Sequence, residues 1–177
     1  MSPLVSSVNQ ILSLLTITGQ IIIVSVLIIL LLKNKIISDL IGKEAILFSF
    51  AVSLIATLGS LFYSEIAGFE PCKLCWFQRI LMYPQIILLG LAILRKDKNI
   101  ISYTFWLSVI GAVIAGYHYL LQIGVAPNLY CSAVGYSVSC SQRFAMNFGY
   151  ITIPMMAFTA FLMNIIFAAI SIKTKKL

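Results

Sequence analysis

Hydrophobic positions along this chain come in long uninterrupted blocks, set apart by short clusters of charged and chain-breaking residues. A helix needs about 20 apolar residues to cross a hydrocarbon layer about 30 Å thick. Ile11 to Leu32 carries no charge and forms the first such block. Residues 33 to 43, with Lys33, Lys35, Asp39 and Lys43, make a polar connection to a second block, Ala45 to about Tyr63. Its small residues Ser49, Ser53, Thr57, Gly59 and Ser60 let neighbouring helices approach closely, so this span is expected to face the bundle interior. Gly68 and Pro71 interrupt the chain before a third block, Trp76 to Leu94, in which Pro84 is expected to kink the helix or free the carbonyl of Ile80. A fourth block, Ile100 to Leu121, follows so closely that the two must be antiparallel neighbours. The stretch from Gln122 to Gly149 is polar, and a fifth block runs from Tyr150 to Ile172, with Pro154 in its first turns where a missing N–H costs little. The pattern predicts an all-α membrane bundle of five spans.

Composition agrees with that reading. Of 177 residues, 61% are hydrophobic and only 10% charged, against about 25% charged in soluble domains. The net charge of +7 does not point to nucleic acid, because the Lys and Arg residues gather at block ends and form no stripe with interleaved aromatics. They set orientation instead. Lys33, Lys35, Lys43, Arg95, Lys96, Lys98, Lys173, Lys175 and Lys176 fall on one side of the proposed spans, and only Lys73, Arg79 and Arg143 on the other. The basic side is expected to be cytoplasmic, with the N-terminus outside and the C-terminus inside. The first block is read as a retained anchor and not a secretory signal. Residues 1 to 10 lack a positive charge, Lys33 and Lys35 follow the block, and no small-residue cleavage pattern occurs.

The four cysteines, which played no part in that assignment, all fall on the outer side, where disulfides persist. Cys72 and Cys75 form a C-x-x-C pair at the mouth of the third span, and Cys131 and Cys140 lie in the long outer stretch with eight residues between them. Structural staples are one reading, but a C-x-x-C loop is too short to restrain much chain entropy, and helix packing already holds a membrane bundle. Zinc is another, although only one pair has the usual ligand spacing. The leading reading is thiol–disulfide exchange, with one pair meeting a partner and the second passing electrons on. Cys75 is expected to be the more activated sulfur, since it lies at a helix N-terminus with Arg79 one turn later on the same face. Arg79 is either an anchor that snorkels to the headgroups or a donor to the carbonyl oxygen of a lipid-soluble oxidant. Trp76 is either an interfacial aromatic or a ring-stacking wall. His118, between Tyr117 and Tyr119, is a packing residue or a proton donor to a reduced quinone. Gln85 and Asn164 read as interhelical hydrogen-bonding groups.

These residues carry a family likeness. Pro71-Cys72-Lys73-Leu74-Cys75-Trp76-Phe77-Gln78-Arg79, together with the segment from Cys131 to Pro154 that includes Gly149-Tyr150-Ile151-Thr152-Ile153-Pro154, resembles the two outer loops of the DsbB family, especially its short BdbC-like branch. The resemblance covers roughly residues 45 to 172. It implies a four-helix redox core there, with residues 1 to 44 as an additional transmembrane helix and its cytoplasmic connection, and 173 to 177 as a basic tail. It further implies a thiol:quinone oxidoreductase of a bacterial plasma or inner membrane, serving a DsbA-like thioredoxin-fold partner and a ubiquinone or menaquinone acceptor. On that pattern the partner attacks Cys131, Cys140 exchanges with Cys72, and electrons reach the quinone at Cys75 while Arg79 holds a quinone oxygen. Two features depart from the family. Cys131 and Cys140 are closer together than in its larger members, and the first span exceeds its four-helix core. The vitamin K epoxide reductase family, with related chemistry, places its loop cysteines before the C-x-x-C pair, the reverse of the order here. The rival within redox chemistry is a conduit carrying reducing equivalents outward, for which cysteines inside the membrane or nearer the cytoplasmic side are wanting, and the non-enzymatic rival is a zinc-bound or disulfide-stapled scaffold without turnover.

Overall fold

The computed structural model describes residues 2–97, 99–126 and 139–175. Helix α1 (Pro3–Leu31) starts on Ser2, whose side chain accepts from the Val5 N–H, and has proline at its first position, where no helical donor is lost. Helix α2 (Lys35–Leu61) starts on Asn34, whose Oδ1 accepts from the Ile37 N–H at 3.4 Å. Residues 35 to 43, expected as a connection, are therefore the first turns of α2. Asparagine caps them, and lysine stems can lie along a helix while their charged ends stay in water. Helix α2 closes in a wider π turn, Phe62–Ile66, and Gly68 follows at φ +69°, the left-handed region that glycine enters freely.

Helix α3 (Lys73–Arg95) runs unbroken through Pro84 and begins three residues before the expected Trp76, which makes Cys72 its N-cap. Helix α4 (Ile100–Gln122) returns beside it. Before α5 (Ile153–Lys175) the chain makes a small hairpin that the hydrophobic pattern did not foreshadow: β1 (Met146–Asn147) pairs antiparallel with β2 (Ile151–Thr152). Phe148 and Gly149 in its loop both take positive φ. All five helices are long and apolar enough to cross a bilayer, so this is an all-α, multi-pass membrane protein.

Helices α2, α3, α4 and α5 form a four-helix bundle in which each helix touches its sequence neighbour and α5 closes the ring against α2. Around Phe161, packed by Met82, Ala112, Ala115 and Ala160, the helices come close enough that a side chain at Gly111 would overlap the Phe161 ring. The bundle also holds a polar knot, as expected of Gln85 and Asn164. The Asn164 amide donates to Ser53 Oγ at 2.9 Å and to Gln85 Oε1 at 3.1 Å, and Ser108 donates to the same Gln85 oxygen at 3.1 Å. One residue from each of the four helices thus shares a buried network in a region with no water to bond. Ser49, Ser53 and Thr57 are buried on the inner face of α2. Helix α1 stands outside this ring, against α5 and more loosely against α2. The basic residues Lys33, Lys35, Arg95, Lys96 and Lys173 sit at one end of the bundle, and Cys72, His118, Cys140 and the hairpin at the other.

Candidate functional site

Three elements converge at the sulfur-bearing end. Cys72 caps α3, Cys75 is in its first turn, and His118 reaches in from the last turns of α4. The segment carrying Cys140 is held over them by Arg143, whose guanidinium donates through Nε at 2.8 Å and through a second nitrogen to the Gln122 carbonyl. Gln122 Nε2 returns a bond to the Gln142 carbonyl at 3.0 Å. Cys140 is disulfide-bonded, whereas Cys72 and Cys75 are free thiols. Cys131, expected as the sulfur that meets the partner, lies outside the described residues.

The contacts of Cys72 are those of an anion site. Its sulfur accepts from the Cys75 N–H at 3.4 Å, as an N-cap side chain does, and lies 3.1 Å from the Cys75 sulfur and 3.6 Å from His118 Nε2. His118 is itself oriented: Gln78 Nε2 stands 2.9 Å from its Nδ1, and the Cys140 carbonyl 3.1 Å from its Nε2. An amide N–H donated to Nδ1 leaves the ring proton on Nε2, aimed at the Cys140 carbonyl and the Cys72 sulfur. These donors hold the Cys72 thiol well below the ordinary thiol range. The Cys75 thiol contributes most, burial opposes, and His118 adds to the lowering. The sequence pattern pointed to Cys75 as the activated sulfur, whereas the cap geometry favours Cys72. Because α3 starts at Lys73, its free N-terminal donors point at Cys72, one turn before the sulfur the hydrophobic pattern singled out.

The donor atoms of Cys72, His118 and Cys140 all lie within 4.8 Å of one another, although their residues are as many as 68 positions apart in the chain (140 − 72). Cys72 and Cys140 are both buried, in a small cluster with Leu121. Thiol–disulfide exchange needs an attacking sulfur close to a disulfide sulfur, and this pair meets that requirement. Metal binding draws on the same proximity, but with Cys140 in a disulfide the cluster offers two ligands, short of the four of a structural zinc site.

Cys75 touches the Cys72 sulfur and also borders a second environment. It lines a cavity of about 280 Å³ that runs from the sulfur end down between α1, α2, α3 and α5. The walls are almost wholly apolar, and polar groups gather at the end that holds Cys75 and Arg79. Arg79 donates from Nε to Ser60 Oγ at 3.0 Å and from one terminal nitrogen to the Ser60 carbonyl at 3.1 Å, while Tyr83 OH also bonds Ser60 Oγ at 3.1 Å. These bonds fix the guanidinium and leave further N–H groups for a ligand. Trp76 is half exposed and lies beneath Arg79, 5.4 Å from ring centroid to guanidinium carbon. Neither Trp76 nor His118 is among the cavity-lining residues, so the structure sets His118 against the sulfurs and Trp76 behind the cation. Phe69, stacked between Tyr63 and Phe144, roofs the same end. Sequence reasoning noted Gln78, Ser60 and Arg143 but gave none of them a role in the site. The available signal was an amide in an apolar block for Gln78; nothing local marks the other two.

Residues 42–171 match the family described as disulfide bond formation protein DsbB. A probable disulfide formation protein C of Bacillus cereus is 44% identical over 133 residues, 75% of this chain and 95% of the relative. The disulfide bond formation protein C of Bacillus subtilis is 44% identical over 133 residues, 71% of this chain and 92% of the relative. A prophage-derived disulfide bond formation protein B of the same organism is 42% identical over 136 residues, 76% of this chain and 90% of the relative. No solved structure matches the chain.

Proposed function

This chain belongs to the DsbB family of disulfide-forming membrane proteins, and from that premise we propose that it is a thiol:quinone oxidoreductase with both cysteine pairs on the extracytoplasmic side. Its substrate on the aqueous side is the dithiol of a DsbA-like thioredoxin-fold protein. Its co-substrate in the membrane is a quinone, ubiquinone or menaquinone. The observation that carries this reading is the double placement of one C-x-x-C pair: Cys72 shares a 4.8 Å cluster with Cys140, and Cys75 lines the apolar cavity beside Arg79.

The chemistry then divides by sulfur. A partner thiolate attacks Cys131 of a Cys131–Cys140 disulfide, and the Cys140 thiolate leaves; the partner's second thiol resolves the mixed disulfide, so the partner is oxidised and the loop pair reduced. Cys140 next attacks Cys72 of an oxidised C-x-x-C pair, Cys75 leaves, and Cys131 attacks Cys140 to release Cys72. The loop disulfide is restored and the C-x-x-C pair is reduced, the state of the described cysteines. The donors around Cys72 make it a good leaving group in that last exchange, since a sulfur held at low pKa leaves faster. Oxidation of Cys72 and Cys75 to the disulfide releases two electrons and two protons, and the quinone takes up both to give quinol. The cavity suits this co-substrate: apolar walls for the hydrocarbon part, and Arg79 N–H groups for a ring oxygen beside Cys75.

Purified protein in detergent, given a reduced dithiol partner and a quinone, should consume quinone in proportion to partner disulfide formed. Cys75→Ser should abolish turnover. Retained turnover in that variant, or bound zinc in stoichiometric amount without quinone consumption, defeats the reading.

A further inference from the structure

Helix α1 lies outside the residues that match the family, yet it is fixed in place. Its buried residues Asn9, Ser13, Thr16 and Gly19 recur every three or four positions, along one face. Near the sulfur end Asn9 Oδ1 accepts from Tyr63 OH at 2.8 Å, and the Asn147 amide donates to the Asn9 carbonyl at 3.2 Å and to Ser13 Oγ at 2.7 Å. Lower down Gly19 lets α1 approach α5 so closely that a side chain there would meet Met163 Sδ at 2.9 Å. Polar bonds and a close glycine contact both hold the helix to its neighbours. Against α2 it stands further off, and the cavity fills the gap.

Below the level where Leu12 packs on Gly59, Leu15, Thr16 and Ile22 of α1 face the cavity from one side and Ile55 of α2 from the other. Leu15, Ile22 and Ile55 are 46%, 37% and 45% exposed although they line it, so the cavity opens sideways between the two helices, into the hydrocarbon layer. From Leu12 to Ile22 this wall is roughly 15 Å long at the helical rise.

We propose that α1 is a specificity-determining wall of the acceptor site: it converts a groove between α2 and α5 into a side-opening tunnel that holds the isoprenoid tail of the quinone, with entry past Leu15, Ile22 and Ile55. This rests on the quinone reading. The polar end at Cys75 and Arg79 fixes which part of the acceptor lies there, and the apolar length along α1 takes the rest. A lipid-soluble molecule needs a lateral entrance, and one exists only because α1 leaves α2 open along this line.

The test compares a tailless naphthoquinone with one bearing an isoprenoid tail, using the full-length protein, a reduced dithiol, and the variants Leu15→Trp and Ile22→Trp. Leu14→Trp, on the exposed side of α1 away from the cavity, is the control. The portal variants should raise the apparent KM for the tailed quinone about tenfold, with the tailless compound and the control near wild type. Unmoved KM for the tailed quinone in an active portal variant overturns the role of α1 and leaves the quinone reading intact. A wild-type protein that reduces neither quinone overturns both. Photolabelling of the wild-type protein with an azide-bearing quinone needs no variant to fold: label within residues 12 to 22 supports the wall, and label confined to residues beyond 42 overturns it.

Discussion

Cys72 caps α3, and the first turn directs a free N–H toward its sulfur, which is what the proposed reading asks of a thiolate that takes part in exchange. The lowered thiol pKa gives a pH dependence with a definite sign. The reduced protein should keep thiolate absorbance well below the ordinary thiol midpoint of about 8.5, and lose it only as acid protonates Cys72. Replacing Cys75 with alanine should move that midpoint up most, and His118→Phe should move it up less, following the order of their contributions. Ultraviolet titration of the reduced variants reads both; a midpoint unmoved by Cys75→Ala would remove the thiol donor from the account. Arg79 makes a separate prediction. Its alanine variant should raise the apparent KM for quinone about tenfold with a smaller change in kcat, the pattern expected when a charge-assisted bond is lost equally from ground and transition states. Steady-state kinetics at varied quinone separates this from a plain anchor, whose removal leaves KM alone. Cys72, Cys75 and Arg79 could be singled out from spacing, because C-x-x-C and an arginine one turn on are local patterns. The facing of His118 onto Cys72 was not legible: the two are 46 positions apart, and nothing near either one announces the other.

The helices themselves were legible because each is a long apolar block, with Arg79 the one formal charge inside any of the blocks, and burial confirms the inner face of α2 that its small residues foretold. Their ends were less so. Charged residues 35 to 43 look like a connection but continue α2, since helix geometry depends on the backbone and the Asn34 cap more than on polarity. The hairpin at 146 to 152 left no periodic trace, each strand being two residues long. It depends instead on Gly149 at φ +79°. Packing between elements yields a prediction of its own. A methyl group at Gly111 would overlap the Phe161 ring, whereas one at Gly90 would meet Phe50 at an ordinary 3.5 Å. Gly111→Ala should therefore cost about 1–3 kcal/mol through overpacking at the α4–α5 contact, and Gly90→Ala should be neutral or mildly stabilising. Denaturant titration in detergent, followed by helical circular dichroism, checks the contrast; equal behaviour of the two would show that α4 and α5 do not meet this closely.

Over the whole molecule, most of the basic residues gather at one end and the described cysteines at the other. Lysine and arginine at one end favour retention in the cytoplasm, so Cys72, Cys75 and Cys140 should face outward. On the proposed reading the two cysteine pairs would act in series, the loop pair toward proteins in the aqueous phase and Cys75 toward the membrane through the cavity beside it. Blocking the series at its middle should reveal its entrance. In Cys140→Ser the loop pair cannot form its disulfide, and Cys131 remains as a lone thiol in the outer stretch. A mixed disulfide should form when the oxidised partner offers its own disulfide to that thiol, and no neighbouring Cys140 is present to resolve it. Non-reducing electrophoresis of membranes carrying this variant should show an adduct of higher mass that reductant releases, and mass spectrometry should locate the bridge at Cys131. The same adduct should be absent from Cys131→Ser and should persist in Cys75→Ser combined with Cys140→Ser, because entrance chemistry does not require the exit sulfur. An adduct bridged instead through Cys72 would reverse the order of the relay and make Cys72 the sulfur that meets proteins, against its 3% exposure.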